Sequence, residues 1–248
     1  ENRPHGTICV AFTPDEEIGM GAEHFNLDQF GAEYAYTLDG DSEGEIQYEN
    51  FNACKAEFEI RGFNVHPGEG KDTMINASLV AIEINNCLPS METPRGTEDY
   101  EGFYHLISMQ GEVGEAKLNY IVRDHDKNGF EERKKTLRLI EKNLNAKWGE
   151  GTVTLKITDQ YLNMKEIVEE HMHLIDHAKK ACEAAGVAPL ILPIRGGTDG
   201  CQLSFKGLPC PNLGTGGHAF HGPYEHISVE GMEKSVELLL ALIQEYTK

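Results

Sequence analysis

The spacing of apolar residues changes twice along the chain, near residues 51 and 162. Before the first change, continuous apolar runs over residues 7–12 and 34–38 predict two buried strands. Over residues 54–60, apolar and charged residues alternate, which predicts a strand with one face in water. This change of period indicates that a second structural unit begins here.

The middle of the chain, residues 51–162, has the pattern of a ferredoxin-like α+β unit. Its alternating and amphipathic segments follow the order β-α-β-β-α-β, which can fold as a domain of its own. After the first strand, the pattern predicts a helix over residues 76–88, strands over 104–109 and 117–123, a helix over 130–148 and a strand over 153–157.

The flanking parts, residues 1–50 and 163–248, predict one discontinuous α/β domain into which the middle unit is inserted. A helical stripe over residues 167–185 ends at Gly186, and residues 190–192 predict a short buried strand. Ser228 is a good N-cap for a last helix. The residues that this helix is expected to bury are Val229, Met232, Val236, Leu239, Leu240 and Ile243.

The charge of the chain limits its partners. With 22 Lys and Arg against 41 Asp and Glu, the net charge is −19, which argues against nucleic acid and anionic lipid as main partners. Neither a membrane-spanning apolar stretch nor a targeting core at the start is found in the sequence. The six cysteines lack C-x-x-C spacing, so we expect reduced thiols in the cytoplasm.

Carboxylates and imidazoles follow the predicted strands of the flanking domain. Residues 13–19 carry three carboxylates after the first strand, although an acidic first turn of a helix would have the same composition. Asp39 follows the second strand, and His218 and His221 lie in a glycine-rich segment. Side chains of these types at one sheet edge suit a hard-to-borderline metal ion, with zinc the best match.

Five motifs together identify a family resemblance. Residues 11–21, 36–40, 64–68, 194–200 and 220–222 resemble, in this order, the co-catalytic dizinc exopeptidases, a family that includes aminoacylases and carboxypeptidase G. The resemblance implies a zinc-exopeptidase-like α/β catalytic domain with an inserted lid. It also implies a metal-dependent aminopeptidase that releases the N-terminal residue of tripeptides or other short peptides with two zinc ions.

The resemblance assigns four residues to the reaction centre. It implies that Glu16 is the general base acting on metal-bound water, that Glu17 and His221 bind one zinc ion, and that Asp39 binds the other. Adjacent carboxylates can point to different sides of a turn, so that one binds metal while the other remains free.

Three further residues are expected to contact substrate. The resemblance makes His66 a catalytic residue that stabilises the oxyanion, while a loop histidine facing solvent is the alternative. Asn76 is a candidate for binding the substrate backbone or simply a helix cap. Arg195 is a candidate clamp for the peptide carboxylate, with an ion pair to Asp199 as the alternative.

A separate group of histidines, His171, His173 and His177, is interpreted as a surface feature. On a continuous helix His171 and His173 would lie about 200° apart, which prevents them from sharing a metal ion.

The sequence departs from the family at its start. No His-x-Asp motif precedes Glu16, so three of five expected metal ligands are present, and the chain begins without Met, as if partway through a domain. We therefore expect an incomplete catalytic domain and little activity from the chain as written. A dipeptidase, an N-acyl amino acid deacylase and a non-catalytic fragment that self-associates are the alternatives. A homodimer through the inserted unit is a candidate assembly, and the sequence leaves the oligomeric state open.

Overall fold

The computed structural model of the chain describes residues 4–247. Residues 1–3 and 248, at the outer ends of the two predicted pieces of the flanking domain, lie outside the described part. The described residues form two compact units: the first runs up to Asn50 and resumes at Leu162, and the second is Phe51–Tyr161.

Both units contain strands and helices. The strands are β1 (Thr37–Gly40), β2 (Glu45–Gln47), β3 (Asn52–Arg61), β4 (Phe103–Gly111), β5 (Glu115–Asp124), β6 (Val153–Tyr161), β7 (Leu190–Ile191), β8 (Asn212–Gly214), β9 (Gly217–His218) and β10 (His226–Ile227). The α-helices are α1 (Leu27–Phe30), α2 (Ala77–Asn86), α3 (Lys127–Trp148), α4 (Lys165–Val168), α5 (His173–Ala184), α6 (Asp199–Phe205) and α7 (Val229–Glu245). Short 3-10 turns cover Glu16–Ile18, Pro67–Glu69 and Glu169–His171.

A mixed sheet with strand order β1-β8-β2-β7 forms the centre of the first unit. β1 pairs with β8 and β2 pairs with β7 in parallel, whereas β2 and β8 are antiparallel. Neighbouring backbone comes very close at Gly214, where an added Cβ would lie 1.8 Å from the carbonyl oxygen of Ser42. Only glycine fits there.

Asn50 joins the two ends of the first unit across the place where the second unit is inserted. Its side chain donates to the Leu162 carbonyl at 3.0 Å and accepts from the Met164 backbone N–H at 2.8 Å. Its own backbone N–H donates to the side chain of Asn163 at 3.1 Å. These bonds hold residues 50 and 162–164 side by side.

Residues 7–12 differ from the sequence prediction, because they do not form a buried strand. Val10 is exposed, and Phe12 is 94% exposed. A strand needs a neighbour to satisfy its backbone N–H and C=O groups, and within residues 4–247 no strand pairs with this segment. A strand does form at the start of residues 190–192, as β7, but the prediction that it is buried is wrong, because Leu190 and Ile191 are exposed.

The last helix begins where predicted but buries a different face. Ser228 caps α7, its side chain accepting from the Gly231 N–H at 2.9 Å. Val229, Met232 and Val236 are exposed, in contradiction to the prediction, and α7 packs on α5 with Leu238 and Leu242 buried.

The helical stripe predicted over residues 167–185 is divided by the 3-10 turn Glu169–His171 between α4 and α5. His171 is the last residue of this turn, and His173 is the first residue of α5. Both rings contact Tyr34, at centroid distances of 5.5 and 4.6 Å. These histidines are half-buried parts of an aromatic cluster, so their interpretation as surface residues is wrong.

The second unit has the predicted β-α-β-β-α-β order. Its antiparallel sheet has the order β4-β5-β3-β6, with β3 paired to β5 from Asn52 to Arg61 and to β6 on its other side. One face of β3 packs under α2 and α3, while Lys55, Glu57 and Glu59 alternate on the other face. The buried residues that β3 contributes are Cys54, Ala56, Phe58 and Ile60.

Candidate active site

The acidic doublet lies in a tight turn of the first unit. Glu16 and Glu17 begin the 3-10 turn Glu16–Ile18, which is preceded by Asp15 at φ 62° and followed by Gly19 at φ 73°. Two left-handed residues therefore bracket a single turn, closed by the Gly19 N–H donating to the Glu16 carbonyl at 2.7 Å. Three residues are too short for a substantial helix dipole, so an acidic helix terminus does not account for these carboxylates.

Asp39 lies at an irregularity of β1. The register of β1 against β8 shifts between Leu38 and Gly40, so Asp39 has no residue opposite it, as at a β-bulge. Bulges turn a side chain away from the regular alternation of a strand and are frequent beside active sites.

His221 approaches the acidic doublet from the opposite end of the sequence. Its Nδ1 lies 3.3 Å from Oε2 of Glu17, with the two side chains 78% and 74% exposed. His221 has a left-handed backbone at φ 58°, and its N–H donates to Oε2 of Glu225 at 2.9 Å. The loop between β9 and β10 thus brings an imidazole to the turn that contains Glu17.

The carboxyl groups influence one another's ionisation. Partial burial, followed by the charges of Asp39, Asp199 and Glu17, raises the pKa of Glu16 to about 7, and His221 opposes this shift. Partial burial and the charges of Glu17 and Asp199 also raise the pKa of Asp39. These couplings mean that Glu16, Glu17, Asp39, Asp199 and His221 share one electrostatic environment.

Asp199 is a member of this group that sequence reasoning missed as a site residue. It is 3% exposed at the start of α6, and neither carboxylate oxygen has a hydrogen-bond partner. The loop containing Gly21 closes over it, since a Cβ on Gly21 would lie 2.2 Å from Oδ2 of Asp199. The sequence signal that identifies Asp199 is its position within the glycine-rich turn Gly-Gly-Thr-Asp-Gly.

Arg195 is half-buried in the segment between β7 and α6. Asp199 accepts no hydrogen bond from it, so the alternative of a hydrogen-bonded pair between these two residues is not realised. Its predicted role in binding a substrate carboxylate stays a prediction.

His66 and Asn76 have local contacts in the second unit. Nδ1 of His66 accepts from the Gly68 N–H at 3.2 Å and caps the turn Pro67–Glu69. Oδ1 of Asn76 accepts from the Leu79 N–H at 3.3 Å and caps α2. Both residues therefore have a structural function, and their predicted catalytic and substrate-binding roles stay predictions.

The metal-binding capacity of the site is partial. Glu17 and His221 have the chemistry and proximity of two ligands to one ion, but zinc usually takes four. Within residues 4–247, no group of three or more His, Cys, Asp or Glu side chains is arranged to hold a metal ion. The described donors thus do not complete a zinc site by themselves.

Within residues 4–247, no helix has both the length and the apolar character needed to cross a membrane.

Nearly the whole chain is similar to known peptidases. Residues 1–245 match the peptidase family M20/M25/M40. The chain is 54% identical over 243 residues to a peptidase T of Halothermothrix orenii and 56% identical over 244 residues to that of Desulfitobacterium hafniense. In both cases the match covers 98% of this chain and 60% of the relative, so the chain spans about 60% of the length of these relatives.

Solved structures share the fold. An aminopeptidase PepT from Bacillus cereus superimposes with a TM-score of 0.82 at 24% identity, covering 95% of this chain and 63% of that one. The Bacillus subtilis YxeP protein, described as a dinuclear metal-binding peptidase of the M20 family, gives a TM-score of 0.70 at 16% identity, covering 95% and 64%. The predicted α/β class and the family resemblance are confirmed.

Proposed function

The chain belongs to the peptidase family M20/M25/M40, and from that premise we propose that it is the part of a metal-dependent aminopeptidase that supplies the general base and part of the metal ligands. The proposed substrates are tripeptides and other short peptides, from which the N-terminal residue is released. The relatives that are 54% and 56% identical bear the name peptidase T, which supports the hydrolysis of peptides.

The observation that carries the proposal is the approach of Nδ1 of His221 to Oε2 of Glu17, at 3.3 Å. These residues are 204 positions apart in the sequence (221 − 17), so the fold brings together an imidazole and a carboxylate of the type that binds divalent cations. Glu16 lies beside Glu17 in the same turn, with Asp39 and Asp199 in its electrostatic surroundings.

In the proposed hydrolysis, the side chains of the site have different roles. Glu17 and His221 would hold a metal ion, with Asp39 a ligand of a second one. When bound, such ions polarise the scissile carbonyl and acidify water. Glu16 takes the proton that water releases as it attacks the peptide carbon, and returns it to the leaving amine. Arg195 binds the carboxylate of the peptide, because a guanidinium can form two parallel hydrogen bonds to it.

Zinc binding is the first test, because the described residues supply only three proposed ligands and we expect slow turnover by the 248-residue chain. Equilibrium dialysis with zinc chloride should show zinc bound to the chain, and substantially less bound to Glu17→Gln and His221→Gln. Glu23→Gln, which removes an exposed carboxylate from the same part of the chain, is the matched control. Equal zinc binding by all four proteins would contradict the proposal.

Peptide hydrolysis is the second test. With trialanine and zinc or cobalt, Glu16→Gln should reduce release of the first residue by about 10²–10⁴-fold, the range for loss of a general base. N-acetyl-alanine and dialanine serve as competing substrate classes. Cleavage of either in preference to trialanine would reassign the chain to deacylase or dipeptidase chemistry.

A further inference from the structure

A second pair of histidines faces each other across the small ribbon formed by β9 and β10. These strands are antiparallel, and His218 and His226 are directly paired in register. Their ring centroids are 5.3 Å apart and their planes are inclined by 37°. Both residues are exposed. Two imidazoles therefore lie side by side at the surface, within reach of ions in solution.

The ring of His226 is fixed in one tautomer. Its Nδ1 lies 2.7 Å from the carbonyl oxygen of Tyr224. A carbonyl oxygen only accepts hydrogen bonds, so Nδ1 must carry the proton, and Nε2 of the neutral ring has a free lone pair. Histidines that bind metals are oriented in the same way, by donating their other ring N–H to a carbonyl or carboxylate.

The separation of the rings matches that of two ligands of one ion. Metal–nitrogen bonds of about 2.0–2.1 Å place the centroids of two imidazoles on a common ion roughly 4.5–5.5 Å apart. The observed 5.3 Å lies in this range. Imidazole favours zinc, nickel and copper, and among divalent ions copper binds nitrogen ligands most tightly. A net charge of −19 also raises the local concentration of cations.

We propose that His218 and His226 form a two-histidine site for a divalent transition-metal ion, with water completing the coordination. The site shares no residue with the candidate active site, and it stands whether or not the proposed function is correct.

An ion bound to this pair would clamp the loop that contains His221. The loop begins and ends at two strands of two residues each, and a ribbon this short is marginally stable without support. Two non-glycine residues of the loop, Ala219 and His221, have left-handed backbones at φ 57° and 58°. Tying β9 to β10 through the metal would therefore restrict the loop in the conformation that presents His221.

The test measures copper binding in a background variant that lacks Glu17 and His221, two of the three proposed active-site ligands. The Glu17→Gln/His221→Gln variant of the 248-residue chain is titrated with copper sulfate. About one copper ion should bind per chain, because each chain has one pair formed by His218 and His226. Its electron paramagnetic resonance spectrum should show coupling to two nitrogens. Adding His218→Gln or His226→Gln to this background should abolish the signal.

Two controls separate this pair from the other histidines. His24→Gln removes a single exposed imidazole, and His173→Gln/His177→Gln removes a pair whose rings are 5.8 Å apart. Both should leave copper binding in the background variant unchanged. Loss of the signal in the His173→Gln/His177→Gln variant, its persistence in a His218→Gln/His226→Gln variant, or no copper binding at all would overturn the proposal.

A second measurement does not depend on substituting the pair. Hydrogen exchange of the background variant should slow at the backbone amides of residues 217–227 when zinc is added, because the ion restrains the ribbon. Unchanged exchange in this segment with zinc bound elsewhere would also overturn the proposal.

Discussion

At the scale of single residues, Asp199 is an unusual component of the first unit. A buried carboxylate normally obtains hydrogen bonds or an opposite charge, because its transfer from water is otherwise costly. Neither oxygen of Asp199 has a hydrogen-bond partner, and the Gly21 loop covers it. Proteins retain such destabilising groups most often at functional sites, which agrees with its influence on Glu16 and Asp39.

The substitution Asp199→Asn should stabilise the protein, because a neutral amide of the same shape costs less free energy to bury than a carboxyl group without a hydrogen-bond partner. We expect the free energy of unfolding to rise by about 1 kcal/mol or more. Urea denaturation followed by far-ultraviolet circular dichroism measures the change. Asp28→Asn is the control, since Asp28 is also in the first turn of a helix but is exposed. A loss of stability in Asp199→Asn alone would contradict this prediction and would mean that the carboxyl group has a stabilising partner in solution.

Sequence reasoning found residues whose chemistry is local but could not find those whose role depends on packing. Glu16, Glu17 and His221 belong to compact motifs, and the fold brings the last two into contact. The isolation of Asp199 arises from the approach of Gly21, which is 178 positions away in the sequence (199 − 21). The bulge at Asp39 likewise depends on pairing with β8, which no pattern within β1 reveals.

At the scale of secondary-structure elements, the start of α7 is fixed by its N-cap, Ser228. Ser228 satisfies the Gly231 N–H, one of the backbone donors that a helix leaves unpaired at its start. The substitution Ser228→Ala should therefore destabilise α7 by about 1 kcal/mol, and Ser228→Asp should retain most of the stability. Hydrogen exchange of the amides in the first turn of α7 distinguishes the two variants. Equal exchange rates in both would exclude a capping role.

Helices α2 and α3 are joined by a carboxylate whose effect should depend on pH. Glu83 accepts from Nζ of Lys147 at 2.5 Å and from Nε1 of Trp148 at 3.0 Å. The hydrogen bond to Lys147 lowers the pKa of Glu83 below its ordinary 4.5, although partial burial opposes this. A lowered pKa in the folded state means that the stabilisation is complete above pH 4.5 and is lost as the pH falls through the folded-state pKa.

Glu83→Gln should accordingly lower the stability of the second unit at pH 7, and the difference from the parent chain should shrink as the pH falls below 4.5. Trp148 is the one tryptophan in the sequence, so its fluorescence reports unfolding of this unit directly. Glu150→Gln, which removes an exposed carboxylate, is the control. A difference that stayed constant with pH would show that ionisation of Glu83 does not contribute.

The predicted elements agree best with the structure where their partners are near in sequence. The alternation in β3 and the amphipathic pattern of α3 both describe surfaces that are completed inside the second unit. Burial of the strand expected at residues 7–12 requires a neighbouring strand, and burial of the apolar face expected on α7 requires an element that packs on it. The spacing of apolar residues does not identify these partners. Val10 and Val236 are exposed for this reason, although both lie in segments with a strong apolar signal.

At the scale of the whole molecule, the second unit has the organisation of an independent domain. Its four strands form one antiparallel sheet, and its helices cover one face of that sheet with a continuous core. Residues 51–161 expressed alone should therefore fold cooperatively. Urea denaturation followed by the fluorescence of Trp148 should give a single transition that coincides with the loss of far-ultraviolet circular dichroism. A gradual change without a transition would contradict this expectation.

The bonds around Asn50 have a consequence for how such a molecule could arise and be rebuilt. The chain leaves the first unit after residue 50 and re-enters it at residue 162, and these two positions are within hydrogen-bonding distance. The inserted segment is therefore a loop whose two ends lie side by side. Closing such a loop costs little extra when its length changes. A few glycines could therefore bridge the gap after excision, or another compact domain with adjacent termini could be grafted there, without new anchoring contacts.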